Sequence, residues 1–458
     1  MSGQDSTDHD VVVIGGGPAG ENAADYAARG GLDVVVVEAE LLGGECSYWA
    51  CMPSKALLTP LDVAAQAGHL GGLATPALDR DALLARRDSF TSGWDDEGQV
   101  DWARSAGLSI VRGCGRLTGE REVTVGDRVL RARRAVVVAT GSEAVVPEVY
   151  ADVAPWTSRD ATGIHEVPAT IAVVGGGVVA CEAARWLAAL GAEVTMLVRD
   201  DRLLARAEEA AAEIVATSLR GAGITVRLGV EVGSAHRDPP LTTAVGHPRG
   251  TEVTLVVDGA EERYAEVLVA TGRRPALRDL GLGSVGVTVP ERGGLAPENL
   301  PDWLQVVGDA SDGAPLTHWG KYQARLVGSR LAGTPLREPD EVPVPQVVFT
   351  DPEVASVGLT AQQARDAGLD VRVVELKIAV AGSSLQADGY TGWACMVVDE
   401  SRSVVVGVTF VGQDVAELCQ SAAVVVAGEV PLDRLWHAVP PYPTISEVWL
   451  RLLEAYGL

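Results

Sequence analysis

A chain of 458 residues with 47% hydrophobic content is long enough for about three domains and has ample material for buried cores. Its formal charge of -25 argues against nucleic-acid or anionic-membrane partners, because phosphate polymers are held by basic surfaces. The opening MSGQDSTDHD lacks the basic start and apolar stretch of a signal peptide, and no run approaches the ~20 apolar residues of a membrane span, so the expectation is a cytoplasmic protein.

Six cysteines, at 46, 51, 114, 181, 395 and 419, are too scattered for a disulfide scaffold. In a reducing compartment a close pair such as Cys46 and Cys51 is more often catalytic or metal-binding than structural; the other four have no partner at motif spacing and are expected as small core residues. No metal site is expected.

The first predicted unit, VVVIGGGPAGENAADYAARGGLDVVVVEAE, reads as strand, glycine turn, alanine-rich helix and a second strand ending in an acid. Gly15, Gly17 and Gly20 form G-x-G-x-x-G: a tight turn, close backbone approach to a pyrophosphate, and close helix packing. Glu38 follows at the distance where a carboxylate accepts hydrogen bonds from an adenosine ribose. Next comes GGECSYWACMPSKALL, with Cys46, Cys51 and Lys55, one of only three lysines in the chain. AVVVATGS, containing Thr140 and Gly141, reads as a buried strand ending in a turn.

The nucleotide signal then recurs as IAVVGGGVVACEAARWLAALGAEVTMLVRDDR, with Gly175, Gly177 and Ala180 in the corresponding places. Its second strand is expected to end in Arg199, with Arg202 and Arg206 close behind. Guanidinium groups there pair with a 2′-phosphate, so the site is expected to prefer NADPH, with NADH possible and Asp200 and Asp201 opposing the preference. VLVATGRRP, containing Gly272, is another buried strand and turn, and LQVVGDAS is a strand ending in Asp309, suited to accept from a flavin ribityl hydroxyl. Two dinucleotide sites and a cysteine pair suggest an electron path from nicotinamide to flavin to disulfide.

In this ordered set the chain resembles the pyridine nucleotide-disulfide oxidoreductases, the flavoprotein family of glutathione reductase, dihydrolipoamide dehydrogenase and mercuric reductase. The resemblance rests on both glycine motifs, GGECSYWACMPSK, both ATG segments, VVGDAS and a C-terminal part beginning VVFTDPEVASVGLT. It implies an α/β fold with two Rossmann-like dinucleotide-binding domains and a C-terminal α+β dimerisation domain: FAD-binding residues 1–152 and 273–340, an NAD(P)H domain at 153–272, and a dimerisation domain at 341–458. It implies a homodimer with FAD, Gly44 among the FAD contacts, Cys46 as the thiol that attacks substrate and Cys51 as the thiol facing the flavin. It also implies a salt bridge between Lys55 and Glu182.

The geometry of the segment bears on the pair separately. In a regular helix, residues five apart lie about 8 Å from one another, beyond the ~4.4–6.8 Å Cα separation of a disulfide, so the segment must be distorted if the bond forms. Pro53 disfavours helix at Met52 and suits the first turn of a helix running through SKALL, whose positive end, with Lys55, would stabilise a Cys51 thiolate. Tyr48 and Trp49 are either an aromatic wall for substrate or packing beneath the flavin, and Glu45, at a position usually threonine, has no consequence derivable from the sequence.

The pattern breaks at the family's H-P-T-x-x-E, which here is PYPTISE: Glu447 is kept, but Tyr442 stands where the family has its acid/base histidine. Tyrosine titrates about 3.5 units above histidine, a handicap of roughly 5 kcal/mol for a proton acceptor at neutral pH. His437 would substitute only by reaching past two prolines; otherwise the phenol binds or protonates substrate, or the acceptor needs no base. The expected function is an NADPH-dependent FAD oxidoreductase acting through Cys46 and Cys51 on a disulfide or other electrophile, the alternative being a diaphorase, quinone reductase or transhydrogenase working directly from the flavin.

Overall fold

The computed structural model describes residues 7–339 and 341–458; most of the segment on which the absence of a signal peptide was read lies outside them. The chain divides into two compact units. The first takes in the chain up to Pro53 together with Arg86–Val145 and Gly272–Pro339, and the second combines Ser54–Ala85, Val146–Thr271 and the C-terminal part ending at Leu458.

In the first unit, β1 (Asp8–Ile14), helix α1 (Pro18–Arg29) and β2 (Val34–Glu38) form the expected strand–turn–helix–strand. β1 lies between β2 and the strand Arg128–Val138, parallel to both, and Ser109–Arg112 and Leu304–Val306 extend the parallel part. The near-continuous valines of β1 and β2 fit a strand covered on both faces, and Val11, Val12, Val13, Val35 and Val36 are fully buried. The helix Thr317–Leu331 packs on α1 where small residues permit it: a side chain on Gly328 would meet Tyr26 Cβ at 2.6 Å.

The second unit repeats the plan with Thr170–Val174, helix Val178–Ala189 and Glu193–Val198 in a four-stranded parallel sheet, beside a three-stranded antiparallel sheet. Its C-terminal part is a five-stranded antiparallel sheet whose core includes Phe410 and Trp449, stacked edge to face at 5.7 Å. Residues 54–85 group with this unit, although they fall within the expected 1–152 segment. The reason is apolar: Leu57, Leu58, Leu61 and Leu83 share one core with Trp156 and Trp186.

Candidate active site

In the first unit the glycines stand where the turn demands them. Gly15 has φ +103°, a side chain there would strike the Ala139 carbonyl, and one on Gly20 would overlap the Gly15 carbonyl oxygen. Gly17 caps α1 without a side-chain hydrogen bond, leaving the helix N-terminal N–H groups for an anion. Gly44, at φ +59°, lies so near that a side chain would meet Gly17 Cα at 2.7 Å. Glu38 closes the turn by accepting from Gly16 N at 2.6 Å and Glu40 N at 2.7 Å.

Thr140 follows the strand Arg128–Val138, and its buried hydroxyl has no hydrogen-bond partner among the described residues; Gly141 turns the chain at φ +71°. Glu21, in the first turn of α1, likewise has a buried oxygen without a hydrogen-bond partner among the described residues, and burial pushes its carboxyl up to about 7 despite the nearby Lys321 charge. These lone acceptors and the open helix end fit a bound group that brings its own donors and phosphates, as FAD does.

The cysteine segment is distorted as a disulfide requires, but at a different place from the one expected. Gly44–Tyr48 forms a short helix α2, the chain leaves helical geometry at Trp49 (φ -132°), and α3 (Cys51–Gly68) then begins at Cys51. Met52 is therefore helical, because Pro53 sits within the first turn, where its missing N–H costs no hydrogen bond. Cys46 and Cys51 are both reduced, one on each side of the break. The Cys51 thiol and burial push Cys46 well above the usual thiol range, while Thr317 and Lys321 oppose them. Cys51 Sγ lies 3.3 Å from Thr317 Oγ1. Thr317 and Lys321, one turn apart on one helix, were missed in the sequence because nothing in their spacing refers to residue 46.

Tyr48 is buried, and its carbonyl accepts from Trp94 Nε1 at 3.2 Å, while Trp49 lies against Trp94 at 5.6 Å. Among the described residues these contacts make the pair packing groups. Glu45 does have a partner: its carboxylate lies 3.7 Å from Arg273 Nη2. Arg273 also donates to Ser142 Oγ at 2.8 Å and Ser142 O at 2.6 Å, and Ser142 Oγ donates to Asp309 Oδ2 at 2.5 Å. Gly272, at φ +142°, precedes this arginine.

In the second unit, Lys55 Nζ lies 2.7 Å from Glu182 Oε2, although the residues are 127 apart in sequence. Glu182 is 4% exposed and its other oxygen accepts from Phe349 N at 3.0 Å, while the Lys55 ammonium stands 4.5 Å from the Phe349 ring centre. Gly175 has φ +125° beside the Ala270 carbonyl, a side chain on Gly177 would meet nothing within 4 Å, and Ala180 is fully buried. The strand ends at Val198, so Arg199 lies one position beyond it. Gly15 N bonds Val37 O and Gly175 N bonds Leu197 O, which puts buried Val198 at Glu38's place.

Arg199 projects with 85% of its side chain exposed, and its contact with Asp200 is a long 4.0 Å. Arg202 donates to Ala205 O at 2.8 Å and is half-buried, and Arg206 is exposed. Tyr442 is 77% exposed, whereas Glu447 is buried with one oxygen lacking a hydrogen-bond partner among the described residues. His437 is exposed. Cys181, Cys395 and Cys419 are buried as expected, but Cys114 is exposed, because it sits in the turn between two strands rather than within one. Among the described residues, no group of three or more His, Cys, Asp or Glu side chains could hold a metal ion, and no helix is long and apolar enough to cross a membrane.

Comparison with known proteins gives a consistent answer. Residues 9–302 match the pyridine nucleotide-disulphide oxidoreductase model, and residues 344–452 match the dimerisation domain of the same family. The dihydrolipoyl dehydrogenase of Bacillus subtilis is 30% identical, with 98% of this chain and 99% of that protein covered. The mercuric reductase of Staphylococcus aureus is 29% identical over 96% of this chain and 81% of its own length. Among solved structures, the HOCl-induced flavoprotein disulfide reductase RclA from Escherichia coli shares the fold, with a TM-score of 0.83 at 24% identity, covering 97% of this chain and 99% of that one.

Proposed function

We propose, for a chain that belongs to the pyridine nucleotide-disulphide oxidoreductase family, an oxidoreductase that draws electrons from NADPH and delivers them through Cys46 and Cys51 to a disulfide or other electrophilic acceptor. That it is an oxidoreductase using FAD and a nicotinamide nucleotide follows from the family; the preference for NADPH and the route through the cysteines are our reading. The dimerisation domain supports a homodimer. The observation that carries the reading is the placement of two thiols on either side of the Trp49–Ala50 break, with the Thr317 hydroxyl against Cys51.

The turn Gly15–Gly20, Glu38, Gly44, Thr140, Gly141 and Asp309 would hold FAD. The chemistry that FAD supplies when bound is two-electron transfer between a nicotinamide and a disulfide. Glu182 fixes the Lys55 ammonium at a defined place by a charge-assisted hydrogen bond. Arg199, Arg202 and Arg206 supply positive charge for a 2′-phosphate, and Val198 places no carboxylate there to repel it.

Cys46 must lose a proton before it can attack, and its burial and the neighbouring Cys51 thiol make that costly even with the Lys321 charge working the other way. Tyr442 is a poor proton acceptor, so it binds substrate or donates a proton, and the acceptor is one that needs little base catalysis. The absent histidine and the arginine at 199 lead away from dihydrolipoamide as the substrate, although relatives carry that enzyme's name. A second reading, direct reduction of a quinone, dye or NAD+ from the flavin, is favoured by Tyr442 and by the raised Cys46 thiol.

Anaerobic titration of the purified protein with NADPH separates the two. A long-wavelength thiolate–flavin absorbance band after two electrons supports the cysteine route; simple bleaching of the flavin supports the direct one. Cys46→Ser is expected to abolish disulfide reduction and leave dye reduction intact, and loss of both would overturn the assignment of Cys46. Tyr442→His is expected to raise turnover of simple disulfides about tenfold or more; unchanged turnover would mean that proton removal does not limit the rate.

A further inference from the structure

The helix Thr317–Leu331 lies close against α1 at its start as well as further along: a side chain on Gly320 would meet Ala19 Cβ at 3.5 Å. The same first turn also reaches the sulfurs, since Thr317 Oγ1 is 3.3 Å from Cys51 Sγ. Lys321 stands one turn beyond Thr317, and residues four apart on a helix share a face, so its side chain leaves the helix on the side that Thr317 turns to the thiols. Lys321 is half-buried and makes no hydrogen bond or close ion pair among the described residues. Its charge acts on two acids. One is Cys46, where it favours the thiolate against burial and the Cys51 thiol; the other is Glu21 in the first turn of α1, whose buried Oε1 has no hydrogen-bond partner among the described residues.

An ammonium without a close carboxylate keeps its field for neighbouring acids, and in a half-buried place that field is only partly screened. With tyrosine at 442 the chain lacks the family's acid/base histidine, so stabilisation of an attacking thiolate has to come from charge. We propose that Lys321 activates Cys46 by holding its thiolate electrostatically, and that Glu21 competes for the same ammonium. The proposal rests on Cys46 being the thiol that attacks substrate. Lys321 is then a positioning residue that accepts no proton: the Cys46 proton leaves to water, and the ammonium stays charged throughout. Ionised Glu21 weakens the hold of Lys321 on the sulfur, and neutral Glu21 releases it. Glu38 is the other charged group acting on Glu21, and it opposes ionisation there.

The test measures thiolate directly, without turnover. The flavin-containing protein is reduced with dithiothreitol, freed of the reagent anaerobically and pulsed with iodoacetamide between about pH 5.5 and 9.5, a range that brackets the ordinary thiol titration. In each reaction the Cys46 sulfur forms a bond to the reagent's methylene carbon as iodide leaves, so the rate follows the thiolate fraction. Peptide mass spectrometry reads Cys46 and, as an internal reference, the exposed Cys114. Lys321→Gln is expected to slow Cys46 alkylation at neutral pH about three- to tenfold and move its pH midpoint upward, with Cys114 unchanged and Lys321→Arg within about twofold of the parent. Glu21→Gln is expected to speed Cys46 alkylation about two- to threefold, and to add nothing when Lys321→Gln is already present.

An unchanged Cys46 rate in Lys321→Gln, an equal slowing in Lys321→Arg, or a fall shared by Cys114 would overturn the proposal. So would a Glu21→Gln effect of the same size with and without Lys321, because competition needs the ammonium. If Lys321→Gln fails to fold, Glu21→Gln decides: faster alkylation of Cys46 supports the proposal, and an unchanged rate overturns it. Retention of disulfide reduction in Cys46→Ser would overturn the assignment of Cys46 as attacking thiol and this proposal together. Loss of disulfide reduction in Cys46→Ser, with no alkylation difference among the Lys321 variants, would overturn the role of Lys321 alone.

Discussion

Gly15 and Gly175 occupy the same place in two strand–turn–helix units, with φ of +103° and +125° and the same hydrogen bond to the neighbouring strand. Yet the residue 23 positions on is Glu38 in one unit and Val198 in the other. In the first unit the carboxylate is already held by two backbone N–H groups, so it is ordered before any ribose arrives. In the second the buried position is apolar and the charge is displaced to Arg199, which stands almost wholly in solvent. One backbone plan thus supports a rigid recognition group in one case and an adaptable one in the other. The first turn suits a cofactor that stays; the second suits one that exchanges, because a solvated arginine can take up or release a phosphate with little rearrangement.

The third glycine position separates the units further. Gly20 has no room for a side chain, whereas Ala180 fills its place in the second turn. The following residues are Glu21, pushed up to about 7 by burial, and Cys181, which burial pushes up to about 12.

The largest effect expected from this comparison is at Gly20. Gly20→Val forces a branched side chain into the Gly15 carbonyl and should remove nearly all bound flavin, measured as absorbance per chain; full retention would mean that this turn does not seat FAD. Arg199→Glu comes next. It should lower the NADPH to NADH ratio of kcat/KM about tenfold or more, and an unchanged ratio would break the contrast between the two turns.

The smallest effect concerns Glu21. Its folded pKa is raised, so its contribution to stability is fully present below about 4.5 and is lost as pH rises through about 7. Glu21→Gln should therefore flatten the fall in stability of the flavin-stripped protein between pH 5 and 8 by about 2 kcal/mol, read from thermal unfolding. Cys181→Ser should leave that slope unchanged, since the thiol titrates outside the window.

Both glycine turns, the acid at 38 and the cysteine pair were legible because local spacing carries them: a turn that excludes side chains, a helix end that binds anions, and two thiols too far apart for a regular helix. The family resemblance added Lys55 with Glu182, and the structure brings these residues to 2.7 Å. Pattern alone missed by one residue at Arg199, because periodicity marks a strand end only approximately while the ladder hydrogen bonds define it. It also misjudged Cys114, since burial belongs to the fold rather than to residue type.

The sequence by itself therefore determined two glycine turns of nucleotide-binding form, a close cysteine pair and the loss of the family's histidine at Tyr442, all of which depend on residues close in the chain. Only the tertiary structure decided what surrounds the sulfurs. Thr317 and Lys321 come from a segment more than 200 positions away, and no local rule sums the burial and charge that meet at Cys46.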